Sequence, residues 1–211
     1  MLARRTADTS VVTSAVLIVA AVAVAYLLGS IPAAVIVARR RDVDIRAVGD
    51  RNPGYWNARE SLGFRAALPV LAVDALKGAA AAWLGMGAQA LVDGRWWIPY
   101  LTALAAMVGH AWPVFAGFRG GRCVLTFIGA SIAINPIESL VALAICLALL
   151  AVLRRFSLAA RLGVFALPVV QAFVDPRSHV AFTGALMTLI GVRFGQAHRG
   201  RARDRSTVTR R

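Results

Sequence analysis

The feature that most constrains this chain is a series of long apolar runs separated by short polar segments. An α-helix needs roughly 20 apolar residues to cross the ~30 Å hydrocarbon core of a bilayer. Seven candidate runs lie at residues 11–38, 66–92, 96–116, 122–135, 137–153, 157–174 and 178–194. They predict an all-α, polytopic membrane helix bundle of about seven transmembrane helices. The fourth run is short, which leaves six crossings as the alternative.

The distribution of arginine gives the predicted bundle an orientation. With seven crossings and an external N-terminus, nineteen of the 23 arginines fall on the cytoplasmic side, and only Arg4, Arg5, Arg95 and Arg177 fall outside. Such an excess is what the positive-inside rule requires. We therefore expect an external N-terminal segment at 1–10, a transmembrane domain at 11–194 and a basic, flexible cytoplasmic tail at 195–211. The predicted location is the inner (plasma) membrane, as a multi-pass protein.

Composition excludes several classes of function. Hydrophobic residues make up 59% of the chain and charged residues 16%, which suits a bilayer better than a soluble domain. The net charge of +14 is divided among short clusters, so we expect no nucleic-acid partner. Cys123 and Cys146 have no cysteine or histidine at zinc-ligand spacing, so neither a metal site nor a structural disulfide is predicted. No cofactor is expected.

Asp74, Lys77 and His110 are ionisable residues inside predicted spans, where charge is expensive and is usually buried in the bundle, paired or functional. Asp74 and Lys77, the only lysine, share one helix face by their i, i+3 spacing. They predict either an ion pair that fixes helix packing or the wall of a polar cavity. His110 lies near the cytoplasmic end of the third run, before Pro113. It is either a proton carrier or a packed interfacial histidine.

Two predicted cytoplasmic loops are rich in glycine and arginine. The third loop reads Gly117-Phe118-Arg119-Gly120-Gly121-Arg122, which predicts either a nest of backbone amides that binds a phosphate or a plain tight turn. The first loop carries Arg46, Gly49, Asn52, Gly54 and Asn57, and the preceding span is broken by Gly29-Ser30-Ile31-Pro32. A break within a span frees backbone groups to line a cavity. Together these features predict a phosphate pocket at the inner membrane surface.

These motifs resemble the acyl-phosphate-dependent glycerol-3-phosphate acyltransferases of bacterial membranes, the PlsY type. The resemblance covers roughly Tyr26 to Ala160. It rests on Gly29 to Pro32, Asp44-Ile45-Arg46, Gly49, Asn52, Gly54, Asn57, Asp74, Lys77-Gly78, Gly109-His110, Pro113-Val114-Phe115, Phe118, Gly120-Gly121, Val124, Thr126 and Ser157-Leu158-Ala159. It implies seven spans, an external N-terminus and a role in phospholipid biosynthesis. It also implies transfer of a fatty acyl group from acyl phosphate to the 1-hydroxyl of glycerol 3-phosphate, giving lysophosphatidic acid and phosphate.

The resemblance also implies roles for individual residues. His110 and Arg46 are the expected catalytic residues, with His110 orienting or deprotonating the acceptor hydroxyl. Arginines would clamp the two phosphates, and small or polar residues would line the pocket. The expected substrate-binding residues are Ser30, Asn52, Gly54, Asn57, Arg119, Gly120, Gly121, Arg122 and Ser157. The expected partners are acyl phosphate, glycerol 3-phosphate and membrane lipid.

The sequence departs from the family pattern in three places. Asp50, Arg51, Tyr55 and Trp56 replace small residues in the first loop, and Asp50 should weaken phosphate binding unless Arg51 compensates. Arginines replace both lysines of the third loop, and Cys123 replaces a glycine. Residues 193–198 lack the family's histidine and asparagine pattern. The alternatives are a catalytically silent relative that binds phospholipid or partners a cell-envelope enzyme, and a small transporter built on Asp74 and Lys77.

Overall fold

The computed structural model describes the backbone of residues 2–92, 94–154, 156–174 and 177–208, and the side chains of residues 11–92, 94–154, 162–174 and 178–198. Within these ranges the chain forms α-helices and one short 3₁₀ turn, Val114–Ala116, with no β-strand. The helices are α1 (Leu2–Gly29), α2 (Ala33–Arg39), α3 (Tyr55–Leu62), α4 (Phe64–Leu91), α5 (Ile98–Ala111), α6 (Val124–Ile134), α7 (Pro136–Leu153), α8 (Phe156–Val174) and α9 (Arg177–Val208).

Each predicted apolar run coincides with helical structure. Among the described residues, five segments are long and apolar enough to cross a membrane: Val11–Arg39, Phe64–Leu91, Ile98–Ala116, Pro136–Leu153 and Ser178–His198. Two further apolar helices, Val124–Ile134 and Leu162–Val174, are shorter. At 1.5 Å per residue, α6 extends only about 17 Å, roughly half a hydrocarbon core. The all-helical membrane architecture is confirmed, whereas seven crossings stay a prediction.

The first apolar run is broken where the sequence predicted. Helix α1 ends at Gly29 and α2 begins after Pro32, because proline has no amide hydrogen to continue the helix. The buried hydroxyl of Ser30 donates to the Tyr26 carbonyl at 2.9 Å. The carbonyl of Ile31, which the break leaves without a helical partner, accepts from Lys77 Nζ at 3.2 Å. A residue of α4 thus supplies the missing hydrogen bond at the break after α1.

Glycines bring the central helices into close contact. A Cβ at Gly29 would collide with the Ala106 carbonyl oxygen, and one at Gly109 with the Tyr26 carbonyl oxygen, so α1 and α5 cross backbone to backbone. Gly78 and Gly129 do the same for α4 and α6. Small residues permit such approach where lipid supplies no hydrophobic driving force. The crossings fix α1, α4 and α5 around the polar end of the bundle.

Two predicted boundaries do not coincide with structural ones. Helix α9 continues to Val208, through most of the segment predicted as a flexible tail, and α1 begins at Leu2, within the predicted external segment. The backbone is helical up to Val208, since alanine and arginine are good helix formers, and the flexibility of the basic tail stays a prediction. Helix α3, inside the first loop, was not predicted because its sequence is largely polar.

Candidate active site

A small polar cavity, with about 10 Å³ of free space, lies where the break after α1 meets the end of α5 and the two glycine-rich loops. Its charged or titratable lining residues are Arg46, Asp74, Lys77, His110 and Arg119. Gly120 and Gly121 close it on one side, and Pro32 and Pro53 on others. The structure thus brings residues from five separate places in the sequence to one site.

The floor of the cavity is a buried cluster of Asp74, Lys77 and His110. Lys77 Nζ lies 2.8 Å from Asp74 Oδ1, and both side chains are 3% exposed. The same carboxylate oxygen lies 3.5 Å from His110 Nδ1. The predicted ion pair is confirmed, and it also forms part of a cavity wall, so both alternatives for it hold. The contact with His110 was not predicted, because Asp74 on α4 and His110 on α5 lie far apart in the sequence.

The glycine loop of residues 117–122 folds back over the end of α5. The amides of Gly120 and Gly121 donate to the carbonyls of Ala111 and His110, at 3.1 and 3.0 Å. The interpretation of these amides as a phosphate-binding nest is therefore wrong, because their hydrogens cap the helix instead. Glycine is required here for space, since a Cβ at Gly121 would collide with Nε2 of His110.

Two arginines stand at the mouth of the cavity without a carboxylate partner among the described residues. Arg46 Nη2 donates to the Ala116 carbonyl at 2.9 Å, while its buried Nε has no hydrogen-bond partner there. Arg119 is exposed, and its guanidinium makes no hydrogen bond within the described ranges. Partial burial, and then the positive charge of Arg119, lower the pKa of the Arg46 guanidinium. The two guanidiniums therefore give the mouth a positive charge, which the nearby Asp44 offsets only in part.

Four of the expected substrate-binding residues do not line this cavity. Ser30 and Gly54 are buried beside it, and Asn52 lies next to Pro53, which does line it. Asn57 is fully buried, and its Nδ2 donates to the carbonyls of Ile45 and Val48, at 2.9 and 3.1 Å. The expectation that Asn57 lines the pocket is therefore corrected, because its amide folds the first loop.

Of the other expected substrate-binding residues, Arg122 lies apart from the cavity, and the side chain of Ser157 is not among those that the structure describes. Arg122 does not line the cavity, because Nη1 is paired with Asp50 Oδ2 at 2.8 Å and its guanidinium stacks on Phe194. The side chain of Ser157 lies outside the described residues. Its predicted role as a helix cap and a substrate-binding residue stays a prediction.

Arg193 of α9 holds the glycine loop, a role that was not predicted from the sequence. Arg193 donates from Nη2 to the Gly120 carbonyl at 2.8 Å and from Nε to the Gly121 carbonyl at 3.1 Å. Its guanidinium also lies 5.1 Å from the Trp112 ring centroid. The only sequence signal for this role is that Arg193 stands at the end of an apolar run. The positive-inside rule already accounts for an arginine at such a position.

An apolar groove adjoins the polar cavity. The groove, about 410 Å³, shares Ile31, Pro32 and Val35 with the cavity and is completed by Ile36, Arg39, Phe115 and Ala116. Its position beside the α1–α2 break connects a hydrocarbon-lined space directly to the charged cavity. The chemistry of the two linings therefore suits a molecule with an apolar chain and an anionic head.

Comparison with known proteins gives a consistent result. Residues 19–202 match the family model described as "Glycerol-3-phosphate acyltransferase". Relatives of that name occur in Laribacter hongkongensis, 36% identical over 82% of this chain and 86% of the relative, and in Bordetella petrii, 42% identical over 73% and 72%. The crystal structure of PlsY (YgiH), an integral membrane glycerol 3-phosphate acyltransferase, is similar in its glycerol 3-phosphate form, with a TM-score of 0.75 and 29% identity over 90% of this chain and 92% of that one. Its lysophosphatidic acid form matches at 0.72 and 28% identity over the same shares.

Proposed function

The chain belongs to the glycerol-3-phosphate acyltransferase family, and on that premise we propose that it acylates glycerol 3-phosphate from an acyl phosphate, giving lysophosphatidic acid and phosphate. The similar PlsY structures carry glycerol 3-phosphate in one form and lysophosphatidic acid in the other. The acyl phosphate donor, the individual site residues and the inner-membrane location are our own extension to this chain.

The observation that carries the proposal is the joining of three environments at one cavity. A buried histidine stands on an ion pair, two arginines without carboxylate partners among the described residues stand at the mouth, and an apolar groove leads away. The reaction needs the same three elements: a group for the acceptor proton, cations for two phosphates and space for a hydrocarbon chain. A reaction between two anions is favoured when both are held close and oriented.

The chemistry follows from the placement of His110. The acceptor hydroxyl attacks the acyl carbonyl carbon, the bond between that carbon and the phosphate oxygen breaks, and phosphate leaves with the electron pair. His110 orients the hydroxyl or takes its proton. Asp74, near Nδ1, leaves Nε2 as the basic nitrogen and stabilises the charged ring. Arg46 and Arg119 stabilise the negative charge on the phosphates and the developing oxyanion. An acyl phosphate is already activated, so no covalent intermediate on the protein is required.

The proposed arrangement in the membrane is seven crossings, with the N-terminus external and the C-terminus cytoplasmic. It is supported by the arginine distribution and by the meeting of the first and third loops at one cavity. Single cysteines at positions 51 and 119 should be labelled by a membrane-impermeant reagent only from the cytoplasmic side, and one at position 95 only from outside. Labelling of positions 51 and 119 from opposite sides would contradict the topology and the shared site together.

The activity is tested with purified protein in nanodiscs. Labelled glycerol 3-phosphate and palmitoyl phosphate should yield lysophosphatidic acid, and omission of the donor should abolish the product. A palmitoyl thioester offered in place of the acyl phosphate tests the identity of the donor independently of the acceptor. Product from the thioester but not from the acyl phosphate would contradict the proposed donor, while glycerol 3-phosphate would remain the acceptor. Binding of glycerol 3-phosphate without turnover of either donor would favour a catalytically silent relative.

A further inference from the structure

Three side chains from separate parts of the sequence lie together in space beside the glycine loop. Asp50 belongs to the first loop, Arg122 to the glycine loop and Phe194 to α9. Arg122 Nη1 lies 2.8 Å from Asp50 Oδ2, and its Cζ lies 4.8 Å from the centroid of the Phe194 ring. The three side chains thus connect two loops and a helix that are far apart in the sequence.

The contact engages most of the Arg122 side chain. The side chains of Arg122 and Asp50 are 19% and 22% exposed, and the Arg122 Nε is buried without a hydrogen-bond partner among the described residues. A planar guanidinium can donate to a carboxylate at one edge while stacking its face on an aromatic ring. The compact ammonium of lysine cannot make both contacts in this way. Arginine at 122, aspartate at 50 and phenylalanine at 194 therefore form a matched set.

The set lies directly beside the groups that fix His110. One residue before Phe194, Arg193 binds the Gly120 and Gly121 carbonyls, and its Nη1 donates to Gln196 Oε1 at 2.8 Å. The amides of the same two glycines hold the end of α5, and Gly121 packs against His110 Nε2. The glycine loop is thus held by α5 on its amide side and by α9 on its carbonyl side. A shift of this loop would change the surroundings of Nε2.

We propose that Asp50, Arg122 and Phe194 form an interlock that positions the glycine loop over His110, so that Arg122 is a positioning residue and not a phosphate ligand. The inference rests on the proposed function, because its consequence is measured in turnover. It also gives the departure at Asp50 a role: the carboxylate does not repel a phosphate at the mouth, since it is paired with Arg122. Arg122 supplies a counter-charge to Asp50 at 2.8 Å.

The sign of the effect at Asp50 separates the two roles for Arg122. If Arg122 binds phosphate, Asp50→Asn removes a competing carboxylate and should leave unchanged or lower the KM for glycerol 3-phosphate. If the interlock operates, Asp50→Asn and Arg122→Gln should each lower kcat/KM by roughly five- to tenfold, and the double variant should lose no more than either single one, as expected for residues in contact.

Phe194 provides the second arm of the test. Phe194→Tyr keeps the ring and should retain most of the turnover, whereas Phe194→Leu should reproduce the loss seen with Arg122→Gln. Phe165→Leu on α8, another exposed aromatic residue, is the matched control and should have no effect on kcat/KM. A thermal midpoint is measured for every variant in nanodiscs, because a purely structural contact would lower the midpoint without changing kcat/KM of the folded protein.

The outcomes are distinguishable from failure of the proposed function. No turnover by the wild type would overturn the acyltransferase assignment and the positioning role together. With an active wild type, additive losses in the double variant, or a lower KM in Asp50→Asn, would overturn the interlock alone. Equal losses in the single and double variants, with Phe194→Tyr active and Phe194→Leu impaired, are the expected result.

Discussion

The floor and the mouth of the cavity carry charge in opposite ways. On the floor, Asp74 and Lys77 form a 2.8 Å ion pair that is almost fully buried, and His110 shares the carboxylate. At the mouth, Arg46 and Arg119 have no carboxylate partner among the described residues and are partly or largely open to solvent. The floor is internally neutral, whereas the mouth is not.

This difference indicates which charges serve the fold and which serve a ligand. A buried charge without its counter-ion costs several kcal/mol, so the floor must be balanced before any substrate arrives. Burial, and after it the positive charge of Arg119, lowers the pKa of the Arg46 guanidinium, and a bound phosphate would relieve the repulsion between the two arginines. Substitutions on the floor should therefore affect folding and chemistry, and those at the mouth mainly affinity.

The largest effect is expected for His110. His110→Gln removes the only histidine that lines the described cavity and should lower kcat by about 10²- to 10⁴-fold, the usual contribution of a positioned acid or base. The KM for glycerol 3-phosphate should change much less, because the arginines remain. His198→Gln is the matched control, since that histidine is exposed on α9. A kcat within twofold of the wild type for His110→Gln would remove the histidine from the chemistry.

The next effect concerns the ion pair. Lys77→Met leaves an uncompensated buried carboxylate and should destabilise the protein by about 3–5 kcal/mol, measured as folded yield and thermal midpoint. Adding Asp74→Asn should restore the yield, because no buried charge remains. Turnover should stay low in the double variant, since His110 has lost its carboxylate. An equal loss of folded protein in the single and double variants would show that the two groups act independently.

The sequence predicts the helices well because hydropathy depends only on local composition. All seven apolar runs lie on helices, and the break between Gly29 and Ala33 lies where Ser30 and Pro32 predicted it. The short α3 and the helical continuation of α9 escaped prediction, because neither segment is apolar. Hydropathy identifies the segments that lipid requires, but it does not describe polar segments that fold against the bundle.

The sequence predicted which residues lie at the site, but it did not predict which of them contact one another. Arg46, His110, Arg119 and the two glycines come together as the motifs indicated. The pairing of His110 with Asp74, and the binding of the glycine loop by Arg193, depend on how separate helices cross. Asn57 was predicted to bind substrate because it is an asparagine in a glycine-rich loop. Its side-chain amide instead donates to two carbonyls of its own loop. Residue type alone does not distinguish these two uses.

The smallest effect is expected at the mouth, for a substitution that preserves charge. Arg119→Lys should weaken the binding of glycerol 3-phosphate or acyl phosphate by roughly 1–3 kcal/mol, because lysine loses the forked donors that match a phosphate. Arg41→Lys is the matched control, since Arg41 is an exposed arginine of the first loop that does not line the cavity. It should bind like the wild type, because the positive-inside rule depends on charge and not on shape. Binding is measured by titration in nanodiscs, with Arg119→Gln as the variant that removes the charge. Wild-type affinity in both Arg119→Lys and Arg119→Gln would mean that the arginine only orients the chain, and the contrast between floor and mouth would then rest on Arg46 alone.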